Sequence, residues 1–240
     1  MRASSFADHY SQATLFWNSQ ADWEKEHIVN AFAFELAKVT RPAIRSRVLE
    51  RLANVDATLV SRVAQQLGMH PPAATGLGRG AANARADSSS ALSLANQPSD
   101  GIRGRKVAIL VADGADGVAV ADLRAALESK GATALVLAPR LGTVQTADGQ
   151  TLTVDHTIVT MPSVGFDAAF VAGGAEELAQ LGDAVHFLTE AYKHGKAVAA
   201  AGNALGLLAV AGVREPESDL VGALRSHRVY DHADRQAVPA

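Results

Sequence analysis

Four short, unbroken apolar runs constrain the second half of this chain more than any other feature. They are Val107 to Ala112, Ala134 to Ala138, Ala168 to Ala172 and Ala197 to Ala201. A strand with one wet face alternates apolar and polar residues. These runs have no polar member, so each suits a strand buried on both faces of a parallel sheet. Helical spacing fills most of the intervals. Val120, Leu123 and Leu127 mark one helix, closed by Gly131. Leu178 and Leu181, then Val185, Leu188 and Tyr192, mark another, broken at Gly182-Asp183. Between the second and third runs, GTVQTADGQTLTV alternates around Asp148-Gly149 and predicts a hairpin. A last helix is expected from Glu217 to Arg228, carrying Leu220, Val221 and Leu224. This alternation predicts an α/β fold over residues 103–240, a doubly wound parallel sheet with helices on both faces.

The first 70 residues keep a different period. Ile28, Phe32, Leu36 and Val39 share one helical face, behind Ser19 or Gln20 and an acidic first turn at Asp22 and Glu24. A second helix carries Ile44, Val48, Leu52 and Val55, with Pro42 in its first turn. The third carries Leu59, Val63 and Leu67, with Asp56 as its N-cap, and ends at Gly68 and Pro71-Pro72. Three helices with single apolar stripes predict a small all-α segment. Upstream of them, Tyr10, Phe16, Trp17 and Trp23 crowd into a polar stretch that reads as helix-poor. Residues 71–102 are rich in Ala, Gly, Ser and Pro and read as a flexible linker, too long for a loop inside one domain.

Composition removes several function classes. Hydrophobic residues make up 48% and charged residues 20%, the balance of a folded globular chain. A net charge of −3 makes no electrostatic case for nucleic acid or an anionic membrane. Cysteine is absent, which excludes disulfides, thiolate metal sites and a cysteine nucleophile. No window reaches the roughly 18 residues of apolar sequence that span a bilayer. MRASSFADHYSQ lacks the apolar core of a secretory signal, so a cytoplasmic setting is expected.

Ligands of such sheets bind where the strands end, at a topological switch point. After the first run, Asp113-Gly114-Ala115-Asp116-Gly117 offers glycine but also two carboxylates, which repel a phosphate. The third run ends at Gly173-Gly174. The fourth enters KAVAAAGNALGLLAVAG: a strand, a sharp turn, a helix and a closing glycine. Covalent hydrolysis at such a turn needs a nucleophile, a base and oxyanion donors. Gly202 has no side chain to attack with, and Asn203 is no base. His194 precedes its strand and so lies at the opposite edge, roughly 17 Å away for a five-residue strand. His156 and Ser163, after the hairpin, are the combination left within reach of the crevice. The remaining histidines, at 9, 27, 70, 186, 227 and 232, show no metal-ligand spacing.

Two stretches carry a family resemblance. FADHYSQATLFWNSQADWEKEHIVNAFAFELAK, Phe6 to Lys38, resembles the end of the haem domain and the start of the helical tail in large-subunit haem catalases. Phe166 to Gly174 and Lys196 to Gly212 resemble the strand, double-glycine turn and nucleophile elbow of the class I glutamine amidotransferase-like superfamily, in its PfpI-like branch. That implies a flavodoxin-like sheet. It also implies a degenerate elbow at Gly202 and Asn203, and an empty carboxylate position at Ala119, with Asp116 close by. The haem machinery of a catalase lies upstream of Phe6, so the resemblance implies no cofactor in this chain and haem in the parent. The family's proximal tyrosine follows an arginine by four residues, and Tyr10, Tyr192 and Tyr230 have no such motif. The implied function is that of a non-catalytic region of an enzyme that dismutates hydrogen peroxide in the response to oxidative stress. It would pack on the haem core and sister subunits of a homotetramer and shape access to the haem, with Phe6, Tyr10, Phe16, Trp17 and Trp23 as the interface. The alternative is a holdase chaperone for unfolded proteins, and a third reading is a PfpI-like hydrolase.

Overall fold

Asp8 supplies a start signal that apolar spacing does not carry. Its Oδ1 accepts from the backbone N–H groups of Tyr10 (3.3 Å) and Ser11 (3.0 Å), and helix α1 (Ser11–Ser19) follows. The stretch expected to be helix-poor is therefore helical. Phe16 and Trp17 sit on α1, and Trp23 lies in the first turn of α2 (Asp22–Ala37). Pro42 opens α3 (Pro42–Ala53), where its missing N–H has no helical partner to lose. Asp56 caps α4 (Ala57–Gln66) by accepting from the Leu59 N–H at 2.9 Å. Arg45 takes the orphan carbonyls at the end of α2: its Nε donates to Leu36 and Val39 and its Nη2 to Ala37.

The computed structural model describes residues 4–76, 87–96 and 100–232. They fall into two units, Met1–Pro98 and Ser99–Ala240. In the first, Trp17, Val29, Leu36, Leu49, Leu52, Leu59, Val60 and Val63 form the core. Each side chain of this size contributes roughly 1.5–3 kcal/mol when fully buried. The buried seam of α2 runs through Val29, Ala33 and Leu36 rather than Phe32, and that of α3 through Leu49 and Leu52 rather than Val48. A one-residue step turns a helix by about 100°, so the expected stripes share Leu36, Leu52 and Val55 with the core while Ile28, Val39 and Val48 border it. Two described parts of the stretch expected as a linker, around Thr75 and around Ser93, are bonded to the helical unit. Asn54 Oδ1 accepts from the N–H groups of Thr75 (3.1 Å) and Gly76 (3.0 Å). Buried Glu24 accepts from Ala21 N (2.8 Å), Ser93 Oγ (2.7 Å) and Leu94 N (2.7 Å). Three donors offset the cost of burying that carboxylate.

The second unit is α/β. Its strands are β1 (Lys106–Leu110), β2 (Thr133–Ala138), β5 (His156–Thr157), β6 (Ala168–Val171) and β7 (Ala197–Ala200), all parallel and ordered β5-β2-β1-β6-β7. The four apolar runs are four of these strands, within two residues at each end; two-residue β5 has no apolar run to announce it. Strands β3 (Gly142–Gln145) and β4 (Thr151–Val154) form the antiparallel hairpin expected around Asp148-Gly149. Helices α6 (Ala175–Ala179), α7 (Gly182–Lys193) and α8 (Leu205–Val210) cover one face of the sheet, and α5 (Gly117–Glu128) and α9 (Leu220–Ala223) the other. The break between α6 and α7 falls at Gln180-Leu181, two residues before the expected Gly182-Asp183, which open α7 instead. The last helix does not run from Glu217 to Arg228. Glu217 is extended beside β7, its N–H donating to Val198 O at 2.8 Å. Asp219 then caps a short α9, and a 3-10 turn ends at His227, whose φ of 62° no helix tolerates.

Candidate functional site

The chain leaves β1 toward β2 on one side and returns through β6 on the other, so the switch point lies between β1 and β6. A cavity of about 410 Å³ opens there, at the carboxyl ends of the strands. Gly114, Asp116, Gly117 and Val118 line it after β1, Ala147 and Asp148 from the hairpin, Gly173 after β6, and Gly202 after β7. Its walls are laced by backbone. Gly114 N donates to Gln145 O (2.8 Å), Asp116 N to Ala172 O (2.6 Å) and Ala147 N to Ala115 O (2.8 Å). At Gly174 a Cβ would lie 2.5 Å from the Cβ of Ala112, and the residue has φ +66°, so glycine is required.

The side chains facing this cavity are poor in chemistry. Asp116 spends Oδ1 on capping α5, accepting from Ala119 N at 2.9 Å. Ala119, the position matched to a partner carboxylate, offers no ionisable group and donates its backbone N–H to that cap. Asp148 accepts from the Thr146 hydroxyl, and that bond holds its carboxyl below the usual carboxylate range. Gly202 and Asn203 lie in a 3-10 turn between β7 and α8, and Gly202 has φ +50° with no heavy atom within 4 Å of where a Cβ would be. The Ser163–His156 combination is not assembled. Ser163 precedes β6, and its carbonyl accepts from Lys196 Nζ at the entrance to β7, the edge opposite the crevice. His156 pairs with Leu137 on the outermost strand, with β2 and β1 between it and β6. His194 likewise precedes β7 and faces Glu190 at 3.3 Å.

The helical unit carries a different kind of concavity. A groove of about 570 Å³ is lined by Phe16, Trp17, Ile28, Phe32, Leu52 and Leu59, among others, with Glu35 as its charged member. Phe16 is 46% and Phe32 37% exposed, and Phe6 is 61% exposed. Of the expected interface residues, Trp17 is instead a core residue at 4% exposure that also borders the groove. Tyr10 is half-buried against the same core, and Trp23 packs edge-on to His27 at 5.6 Å. Spacing does not reveal the groove because Phe16 and Phe32 come from different helices. Among the described residues no helix is long and apolar enough to cross a membrane, and no group of three His, Asp or Glu could hold a metal ion.

Comparison with known proteins accounts for both units. Residues 3–67 match the family described as catalase-related immune-responsive, and residues 103–232 match the C-terminal domain found in long catalases. Over its full length the chain is 41% identical to catalase HPII of Pseudomonas aeruginosa and 42% identical to catalase HPII of Pseudomonas putida, covering 35% of each. It is 36% identical over 95% of its length to catalase-1 of Neurospora crassa, covering 31% of that protein. The chain thus spans about a third of the relatives it matches, and it belongs to the long-catalase family, as the C-terminal region of a large-subunit enzyme.

Proposed function

We propose that this chain is a non-catalytic docking region, whose helical unit seats on the haem-bearing remainder of a long catalase, stabilises its tetramer and shapes access to the haem. The apolar groove carries this reading. Aromatic side chains left half-exposed on neighbouring helices describe a surface that lacks its cover, and the relatives are about three times as long as this chain. The α/β unit is read as flavodoxin-like and class I glutamine amidotransferase-like, with the elbow turn kept and its nucleophile gone. Haem does not fit this chain. Tyr192 is buried and stacked on His232 at 5.2 Å, Tyr230 covers Gly195, and Tyr10 packs on the helical core, so none presents a free phenolate to iron.

The test is a haem core lacking this region, mixed with the purified chain. Binding at a hundredfold excess over Kd is expected to add about 2.7 kcal/mol to the core's stability, read as a rise in Tm. Phe16→Asp with Phe32→Asp should abolish the rise. No shift at saturating chain would sink the proposal. The same groove also favours a second reading, a holdase that captures apolar segments of unfolded proteins. Suppressed light scattering of a heat-denatured client, lost in the double variant and unaccompanied by any core stabilisation, would favour that reading.

A further inference from the structure

The edge of the sheet opposite the crevice gathers charge. Asp167, just before β6, has two guanidinium groups and an imidazole around its Oδ1: Arg105 Nη1 at 3.6 Å, Arg228 Nη1 at 3.6 Å and His227 Nε2 at 3.3 Å. Its Oδ2 accepts from the Lys106 N–H at 2.9 Å. Lys196 stands at the entrance to β7, 5% exposed, with its Nζ donating to the Ser163 carbonyl. Burial first, then Arg228, pushes the Lys196 amine down to about 8, against the opposing pull of Asp167. Burial, then Arg228 and Arg105, also holds the His227 imidazole below its ordinary range, with Asp167 acting the other way.

Three features mark this cluster as incomplete. The first is charge: Arg105 and Arg228 share Asp167, Lys196 donates to a carbonyl, and among the described residues no second carboxylate pairs with them. The second is distance. Contacts of 3.3–3.6 Å lie beyond the roughly 2.9 Å limit of a close charge-assisted hydrogen bond. Asp167 therefore satisfies neither guanidinium, nor the imidazole, closely. The third is strain. His227 has φ 62° and ψ −45°, the one non-glycine residue at positive φ among those described. A strained backbone persists only where its surroundings hold it, and here it turns the imidazole onto the cluster.

We propose that this cluster is an oxyanion site, in which a phosphate-sized dianion seats against Arg105, Arg228 and His227 with Lys196 behind them. Planar guanidinium groups match such an anion in pairs of N–H bonds. The residues are accessible enough to receive it: Arg105 is 26%, Arg228 22% and His227 46% exposed. Asp167 then acts as an internal competitor, occupying part of the space the ligand would take.

That competition supplies the test. The full chain is titrated with inorganic phosphate at constant ionic strength against chloride, by calorimetry and by the NMR shifts of the His227 ring and the Lys196 amine. Saturable binding confined to those signals is expected. Arg105→Gln should weaken it about tenfold or more, the loss of one charge-assisted contact, and Asp167→Asn should tighten it. A phosphoserine peptide run in parallel separates the sources: tighter capture of the peptide assigns the site to a phosphorylated chain, tighter capture of phosphate to the free ion, and either supports an oxyanion site. Absence of saturable binding in the wild type, or binding that Arg105→Gln leaves unchanged, overturns it.

Discussion

At the carboxyl edge of the sheet the loops are tied by backbone: Gly114 to Gln145, Asp116 to Ala172, Ala147 to Ala115. At the amino edge the ties are side chains: Asp167 to Arg105, His227 and Arg228, and Lys196 to the Ser163 carbonyl. The difference bears on what each edge can lose. A crevice laced by peptide groups keeps its shape when its side chains shrink, and the turn at Gly202 adds no side chain to it. An edge held by buried charge depends on every partner and on pH. Ionisable side chains stand at both edges, but at the amino edge they gather around one carboxylate, and in such sheets ligands ordinarily bind at the other edge.

The contrast breaks first if the crevice proves tolerant where it should be rigid. Gly174→Ala places a Cβ 2.5 Å from Ala112 Cβ and 2.7 Å from that residue's backbone, at φ +66°. Backbone cannot swing aside as a side-chain tip can, so a loss of about 3 kcal/mol or more is expected. Urea unfolding should show it as a fall in the transition of the α/β unit with that of the helical unit unmoved. A variant as stable as the wild type would mean the loops are not locked together.

The second measurement sharpens the amino edge. Lys196 titrates near 8 in the folded chain against an ordinary 10.5. Between those values the unfolded chain still holds a proton that the folded chain has released, so stability should rise with pH across that window. Below pH 8 both states carry the proton and this slope vanishes. The rise is at most about 1.4 kcal/mol per pH unit. Lys196→Met should flatten it relative to wild type while leaving the carboxyl-edge crevice intact. Equal slopes in the two proteins would place the pH dependence elsewhere.

Legibility in the sequence divides along the same line. The parallel strands are readable because Val107 to Ala112 and its counterparts are apolar without interruption, and burial on both faces permits little else. Gly174 and the turn at Gly202 are readable because glycine next to a strand end reports on backbone. The Asp167 cluster is not. Its members come from positions 105, 167, 196, 227 and 228, and no local spacing joins them; parallel pairing alone brings the starts of β1, β6 and β7 to one edge. The α1 helix escapes pattern reading because its start rests on Asp8, one carboxylate, rather than on an apolar stripe. The apolar groove escapes for the reason the charged cluster does, being assembled from separate helices.

Gly202→Cys asks whether the turn between β7 and α8 can carry a side chain, and the expected effect is small. The position has φ +50°, which costs an L residue roughly 1–2 kcal/mol. Part of that cost is offset, by about 0.4–1 kcal/mol, because the unfolded chain loses freedom when glycine is replaced. No heavy atom lies within 4 Å of the new Cβ, so no clash adds to it. The net loss should be about 1 kcal/mol, well short of Gly174→Ala. The thiol should react readily with a small alkylating reagent, since Gly202 is exposed beside the crevice. Ester hydrolysis should remain absent, because His194 stands at the other edge beside Glu190 and His156 three strands from β6. A loss as large as that of Gly174→Ala would show the turn at Gly202 to be as tightly specified as the double-glycine turn, with glycine there a packing requirement.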